Sequence, residues 1–452
     1  MMYLGLISIL ILILSVSAIS TKKQKGKDFS GKKSVSSFLV LGGIVGTIVG
    51  GSSTVGTSQA AFTSGFNAWW YTLGCSIGIL VFAFFFSKKI YFSDKTTLLE
   101  IVSDRYGEKC GVTMSLLSAG GTTLSIVSQV LSGVALLSAI LPVSQTTSLL
   151  IFIFLVLIYV FFGGGISLGY MGILKTILMA LGFGICGIMA YVSLGSSIST
   201  LPSSYFNIFS GGVWKNLSQV KTLAFGLITG QKNTSARITG KPDKESRRAV
   251  IDSYIIGPFI GLFCILVGLY MKIYHPYIES STALPMFIQL KMPAFLGGCL
   301  EGMLLLTLVG TTSGTLYATS TILYRGLLKN RIKNETMATR MLLLSLMTLV
   351  SIIVVINKGD LILNWTFMGA GLRGAVSLFP LILALFYKKT IKRNYVLWSM
   401  IAAPICTVLG KFLLPEIQIL PVFWGILGSL FFIVLGLLGK KSTLTLESRY
   451  SE

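Results

Sequence analysis

Small and hydroxyl-bearing residues interrupt an apolar run near its middle. Gly50, Gly51, Ser52, Ser53, Thr54, Val55 and Gly56 all lie inside the stretch 35–62. In a bilayer, backbone N–H and C=O groups freed at that depth are tolerated only where protein buries them or where they line a cavity that uses them. The chemistry on offer is reversible binding of a small polar molecule or ion. A second interruption, Phe225-Gly226-Leu227-Ile228-Thr229-Gly230, runs into the polar Gln231-Lys232-Asn233-Thr234-Ser235. If the two breaks face one another, the pocket draws on Ser53, Thr54, Gln59, Thr229, Gln231 and Asn233, with Asn67 and Ser76 from the following apolar stretch. The run 111–141 adds Ser118, Thr122, Ser125 and Gln129 as one polar stripe at helical spacing. Amides and hydroxyls placed in an apolar wall suit a small polar organic solute. Neither break carries an Asp or Glu, which disfavours an organic cation. A half-helix N-terminus would welcome a carboxylate, so an amino acid or organic acid stands slightly ahead of a sugar. The Trp69-Trp70 pair reads more readily as an interfacial belt.

Catalysis finds little support. The sequence has no His-Glu-x-x-His and no phosphate-binding Gly-x-x-x-x-Gly-Lys-Ser/Thr, and His275 is its single histidine. An enzyme is not expected, nor an ATP-driven pump, nor any cofactor. The six cysteines lie in or beside apolar runs without a Cys-x-x-Cys pair and read as small packing residues.

The elements that must position the breaks are membrane helices. Of 452 residues, 53% are hydrophobic and 12% charged, against about 25% charged in soluble domains, and the mean hydropathy is +0.82. Thirteen apolar runs approach the roughly 20 residues that span hydrocarbon. Of the 37 Lys and Arg residues, 29 fall in one alternate set of loops. The positive-inside rule then puts the N-terminus outside and the C-terminus in the cytoplasm. The net charge of +22 is topology plus contact with anionic lipid, and nucleic-acid binding is not expected. The first run has its lysines after it and no basic stretch before it, so it reads as a retained N-out helix and not a signal peptide.

The breaks lie five runs apart and therefore enter the membrane from opposite sides, the spacing of inverted repeats that each begin with a broken helix. Here the residues resemble a family. GGSSTVGTSQAAFTSGFNAWWYTLG (50–74), TLLEIVSDRYG (97–107), ARITGKPDKESRRAVIDSYIIGPFIGLFCILVGLY (236–270) and ALPMFIQLKMPAFLGGCLEGMLLLTLVGTTSGTLYATSTILYRGL (283–327) are similar to blocks of the sodium:solute symporters. The resemblance implies an all-α integral membrane protein of about thirteen transmembrane helices around a five-plus-five inverted-repeat, LeuT-like core. Its parts would be an N-out helix with a basic loop (1–34), the first repeat (35–193), the second (194–390), and two peripheral helices with a short tail (391–452). It also implies a plasma-membrane location, sodium coupling and alternating access, with a monomer as default. Carried over residue by residue, the sodium ligands fall on Ser52 and Val55 in the first broken helix and on Thr307, Gly310 and Thr311 in the ninth span. Gly310 stands where the family has a hydroxyl, so one ligand is lost.

Three intramembrane charges complicate the coupling. Lys175 occupies a position where the family often has Gln, three residues after Gly172 in place of Asp. It either sets an ammonium where the ion would sit, snorkels to lipid phosphates, or pairs structurally. Glu301, ten residues before Thr311, either carries a proton or pairs with Lys291 or Lys272. Arg373 takes a packing, gating or substrate role. The alternatives to sodium symport are therefore a proton-coupled or ion-independent carrier using Lys175, and a transporter-like solute sensor. A channel is disfavoured, because closed breaks replace a continuous polar stripe.

Overall fold

The computed structural model of the chain describes residues 1–8, 11, 41–42, 46, 49–93, 95, 97–163, 168–230, 244–329, 332, 334–357, 359–387, 391–413 and 421–438, and every regular element among them is helical. Seven of the described helical segments are long and apolar enough to cross a bilayer, and two shorter apolar helices accompany them. The helices of eight residues or more are α1 (Thr57–Ser64), α2 (Trp69–Val81), α3 (Leu98–Tyr106), α4 (Glu108–Ile140), α5 (Gln145–Gly163), α6 (Leu168–Leu194) and α7 (Val213–Ile228). There follow α8 (Lys244–Tyr274), α9 (Ala283–Lys291), α10 (Ala294–Leu323), α11 (Glu335–Ile356), α12 (Ile362–Phe386), α13 (Arg393–Leu413) and α14 (Val422–Leu438).

Two long helices occupy the centre. α4 packs on α12 and α10, while α12 also packs on α7. Lipid tails are as apolar as leucine, so membrane helices associate through close backbone approach at small residues. Glycines meet that need here. A Cβ on Gly121 of α4 would lie 2.8 Å from the Gly369 carbonyl oxygen of α12, and one on Gly226 of α7 would lie 2.6 Å from the Ala370 Cβ. α8 packs on α1, α2 and α6, and α13 pairs with α14 at the periphery.

The TLLEIVSDRYG block is a clamp at one end of this core. Thr97 caps α3, its hydroxyl accepting from the Glu100 N–H at 3.2 Å, which is the Thr-x-x-Glu capping pattern. Glu100 in turn pairs with Arg325 just beyond α10, at 3.6 Å. Arg105 donates to the Ala384 carbonyl at 3.0 Å and to the Tyr387 carbonyl. A cation on the last carbonyls of α12 satisfies orphan acceptors and complements the helix dipole.

Candidate functional site

The first break is a single wide turn. Ser52–Gly56 forms a π-helical turn, closed by the Gly56 N–H donating to the Gly51 carbonyl at 2.9 Å. The motif's own side chains satisfy the groups this frees. The Ser53 hydroxyl accepts from the Gly50 N–H and donates to the Gly50 carbonyl, both at 3.0 Å, and the Thr54 hydroxyl donates to that same carbonyl at 2.9 Å. Thr57 donates to the Ser52 carbonyl at 3.0 Å. The Gly51 N–H finds its acceptor outside the motif, on Gln129 Oε1 of α4 at 2.9 Å.

Gln129 also joins α10 to the break. Thr311 Oγ1 lies 3.5 Å from Gln129 Oε1 and donates to the Thr307 carbonyl at 2.8 Å. A Cβ on Gly50 would lie 3.6 Å from the Thr311 methyl. Thr307, Thr311, Ser52 and Val55 are all buried. The Thr307 hydroxyl has no hydrogen-bond partner among the described residues. Gly310 stands apart from this cluster, since a Cβ there would meet nothing within 4 Å. The Ser52 hydroxyl lies 2.7 Å from Thr366 Oγ1 of α12 and 3.2 Å from Ser128 Oγ of α4, so three elements pool hydroxyls at the break. Two residues escaped the sequence reading: Ser128, which continues the polar stripe three residues after Ser125, and Thr366, an isolated hydroxyl in an apolar helix. That reading also stopped at Thr311 on a ladder with a visible signal. Thr315 donates to the Thr311 carbonyl at 2.7 Å, and Thr319 to the Thr315 carbonyl at 2.8 Å.

The second break begins where α7 ends. Thr229 donates to the Phe225 carbonyl at 2.9 Å. The Gly226 carbonyl accepts from Arg373 Nε at 3.2 Å and Nη2 at 3.0 Å. A guanidinium at the last turn of a helix is electrostatically favoured. Gln231 and Asn233 lie outside the described residues, as does the Lys175 side chain, although Lys175 itself falls within α6.

Several expected pocket residues are engaged elsewhere. Gln59 Oε1 accepts from the Ile362 N–H at 2.9 Å, satisfying an orphan donor at the start of α12. Ser76 donates to the Tyr254 carbonyl at 2.7 Å; Pro258, four residues on in α8, has no N–H to give that carbonyl. Thr122 donates to the Ser118 carbonyl at 2.9 Å, and Ser118 meets Ser377 of α12 at 2.7 Å. Asn67 sits in the 3-10 turn Gly65–Ala68, with its amide against Gly211. Trp69 and Trp70 donate to the Pro258 and Ile208 carbonyls. Glu301 is fully buried. Its partner is Gln289 of α9, whose amide donates to Glu301 Oε1 and to the Ala139 carbonyl, both at 2.9 Å. Lys291 and Lys272 lie over the Tyr270 and Phe62 rings at 5.0 and 4.9 Å.

Helices interrupted in mid-span, with polar groups converging on the interruptions, define a membrane carrier. The chain belongs to the sodium:solute symporter family, which it matches over residues 29–403. It is an integral plasma-membrane transporter and not an enzyme. The sodium/proline symporter of Staphylococcus aureus is 22% identical over 440 residues, covering 89% of this chain and 84% of that protein. The uncharacterized symporter YwcA of Bacillus subtilis (strain 168) is 25% identical over 252 residues. The matched region there is about half of each protein, 50% of this chain and 49% of the relative. Among solved structures, a substrate-bound, outward-open sodium-coupled sialic acid symporter superposes with a TM-score of 0.78 at 17% identity, covering 98% of this chain and 99% of its own. Mhp1, a nucleobase-cation-symport-1 family transporter, gives 0.55 at 14% identity over 89% and 93%. These likenesses carry the fold.

Proposed function

We propose that the chain couples sodium entry to uptake of a small polar organic solute, an acid in preference to a sugar, by alternating access. Sodium is a hard cation that takes oxygen ligands, and unwound backbone carbonyls with neighbouring hydroxyls supply them in carriers of this kind. The carbonyls of Ser52, Val55 and Thr307 and the hydroxyl of Thr311 form the ion site in this reading, with no hydroxyl at Gly310. The observation that carries it is the approach of Thr311 to the Gly50–Gly51 break, bridged by Gln129. The solute lies between the two breaks, and residues 35–193 and 194–390 act as the two inverted repeats. Solute access alternates between an outer side, which holds the N-terminus, and a cytoplasmic side, which holds the C-terminus.

Proton coupling is the second reading, favoured by Glu301: its Oε2 is buried without a partner among the described residues. Gln289 faces it from α9, while Lys291 and Lys272 turn to aromatic rings. One experiment separates the two. The thermal stability of the purified protein is followed while sodium is titrated against potassium or choline at fixed ionic strength and two pH values. An ion that binds the native state raises stability by mass action. A saturable, sodium-specific rise is expected; stability that follows pH and ignores sodium would transfer the coupling to Glu301 or Lys175.

A further inference from the structure

We infer that Arg373 is the receptor for a carboxylate on the transported solute, and that this carboxylate draws its guanidinium off the Gly226 carbonyl. The inference rests on the symport reading and deepens it. Arg373 is the twelfth of the 25 residues of α12, so its charge sits near the middle of a membrane-spanning helix. A cation at that depth normally faces the protein interior or water and pairs with a group that compensates it. Here the compensation is partial. Nε and Nη2 both go to one carbonyl oxygen, that of Gly226, and Arg373 has no ion pair among the described residues. Nη1 makes no hydrogen bond among the described residues, and Arg373 is only part-buried, so the fork keeps a spare donor. Tyr71 of α2 is buried beside α12. Its ring meets Phe367 edge-on at 5.9 Å. α12 therefore reaches both breaks, through Thr366 to Ser52 and through Arg373 to Gly226, and carries the guanidinium between them.

One guanidinium matches one negative charge, and its planar fork matches a carboxylate that accepts two parallel N–H bonds. A neutral carbonyl holds a guanidinium less strongly than a carboxylate does. Solute arrival therefore exchanges the Gly226 contact for the carboxylate and frees the last turn of α7. In this way occupation of the pocket is reported to the second broken helix.

The test uses the full-length protein in sodium. Thermal stability is titrated with acetate, L-lactate and L-proline, each beside its amide, which keeps the shape and lacks the carboxylate. At least one acid is expected to stabilise the wild type, with its amide at least tenfold weaker. Arg373→Gln keeps a donor for the Gly226 carbonyl and should bring that acid to the level of its amide, a loss of about 10- to 150-fold for a charged hydrogen bond. Arg373→Lys, which keeps the charge without the fork, should fall between. A retained sodium response in Arg373→Gln would show that the variant folds. The inference is overturned if no acid binds, if an amide binds as well as its acid, or if Arg373→Gln keeps wild-type affinity. A sodium response without any acid response would preserve symport and sink the receptor. Acid binding governed by Arg373 without a sodium response would do the reverse.

Discussion

Replacing Gln129 by leucine tests the proposed ion site through the side chain that bridges the Gly51 turn and Thr311. The side chain accepts from the Gly51 N–H at 2.9 Å and lies 3.5 Å from the Thr311 hydroxyl. Leucine fills similar space but leaves the buried Gly51 N–H without an acceptor, which costs about 1–3 kcal/mol. If the same turn supplies the Ser52 and Val55 carbonyls to sodium, binding must first restore its geometry. The penalty then appears as a sodium affinity about 5- to 150-fold weaker, at 1.4 kcal/mol per tenfold. The assay is the midpoint of sodium-dependent thermal stabilisation. Gln59→Leu is the control, because it orphans the Ile362 N–H at the start of α12 in the same chemical way without touching α10. Both variants should lose stability, and only Gln129→Leu should shift the sodium midpoint. A Gln129→Leu midpoint within twofold of wild type, or an equal shift in Gln59→Leu, would refute the assignment of the break to sodium.

Three further outcomes are expected. Gly310→Ser should fold normally, because a side chain there meets nothing within 4 Å, and should strengthen the sodium response; an unchanged response would place position 310 outside the ion's reach. Glu301→Gln keeps an acceptor for the Gln289 amide and should leave sodium-dependent uptake and its pH profile close to wild type, whereas loss of pH dependence would favour the proton reading. Ser76→Ala should lower stability by about 1 kcal/mol, the net worth of one hydrogen bond, by removing the donor to the Tyr254 carbonyl. Sodium and solute midpoints measured on the same protein should not move.

The breaks were legible because glycine and hydroxyl residues in mid-span leave few other readings, and the family blocks supplied the rest of the plan. Individual roles were less legible for a physical reason. Gln59 and Ser76 look like pocket residues because amides and hydroxyls are scarce in apolar helices. Their partners are a helix-start N–H 303 positions away and a carbonyl that Pro258 leaves open. Nothing in local spacing reports which distant backbone group lacks a partner. Thr366 escaped for the same cause, meaningful only beside Ser52, whereas Ser128 continues the Ser125 stripe at helical spacing and was available. The four-residue spacing of Thr307, Thr311, Thr315 and Thr319 was available and extends the hydroxyl row well past the break.

The clamp built from Thr97, Glu100 and Arg105 bears on the kinematics of transport. It fastens the far end of α10, through Arg325, to the carbonyls that finish α12. Those two helices carry Thr307 and Thr311 on one side and Arg373 on the other. On the proposed reading, a tie that holds through the cycle would make the hydroxyl row of α10 and the cation of α12 change sides together. Such a tie would guard against slippage, in which either passenger crosses alone and the gradient is dissipated. A carrier with a loosened clamp should still bind both passengers and lose its fixed ratio between them.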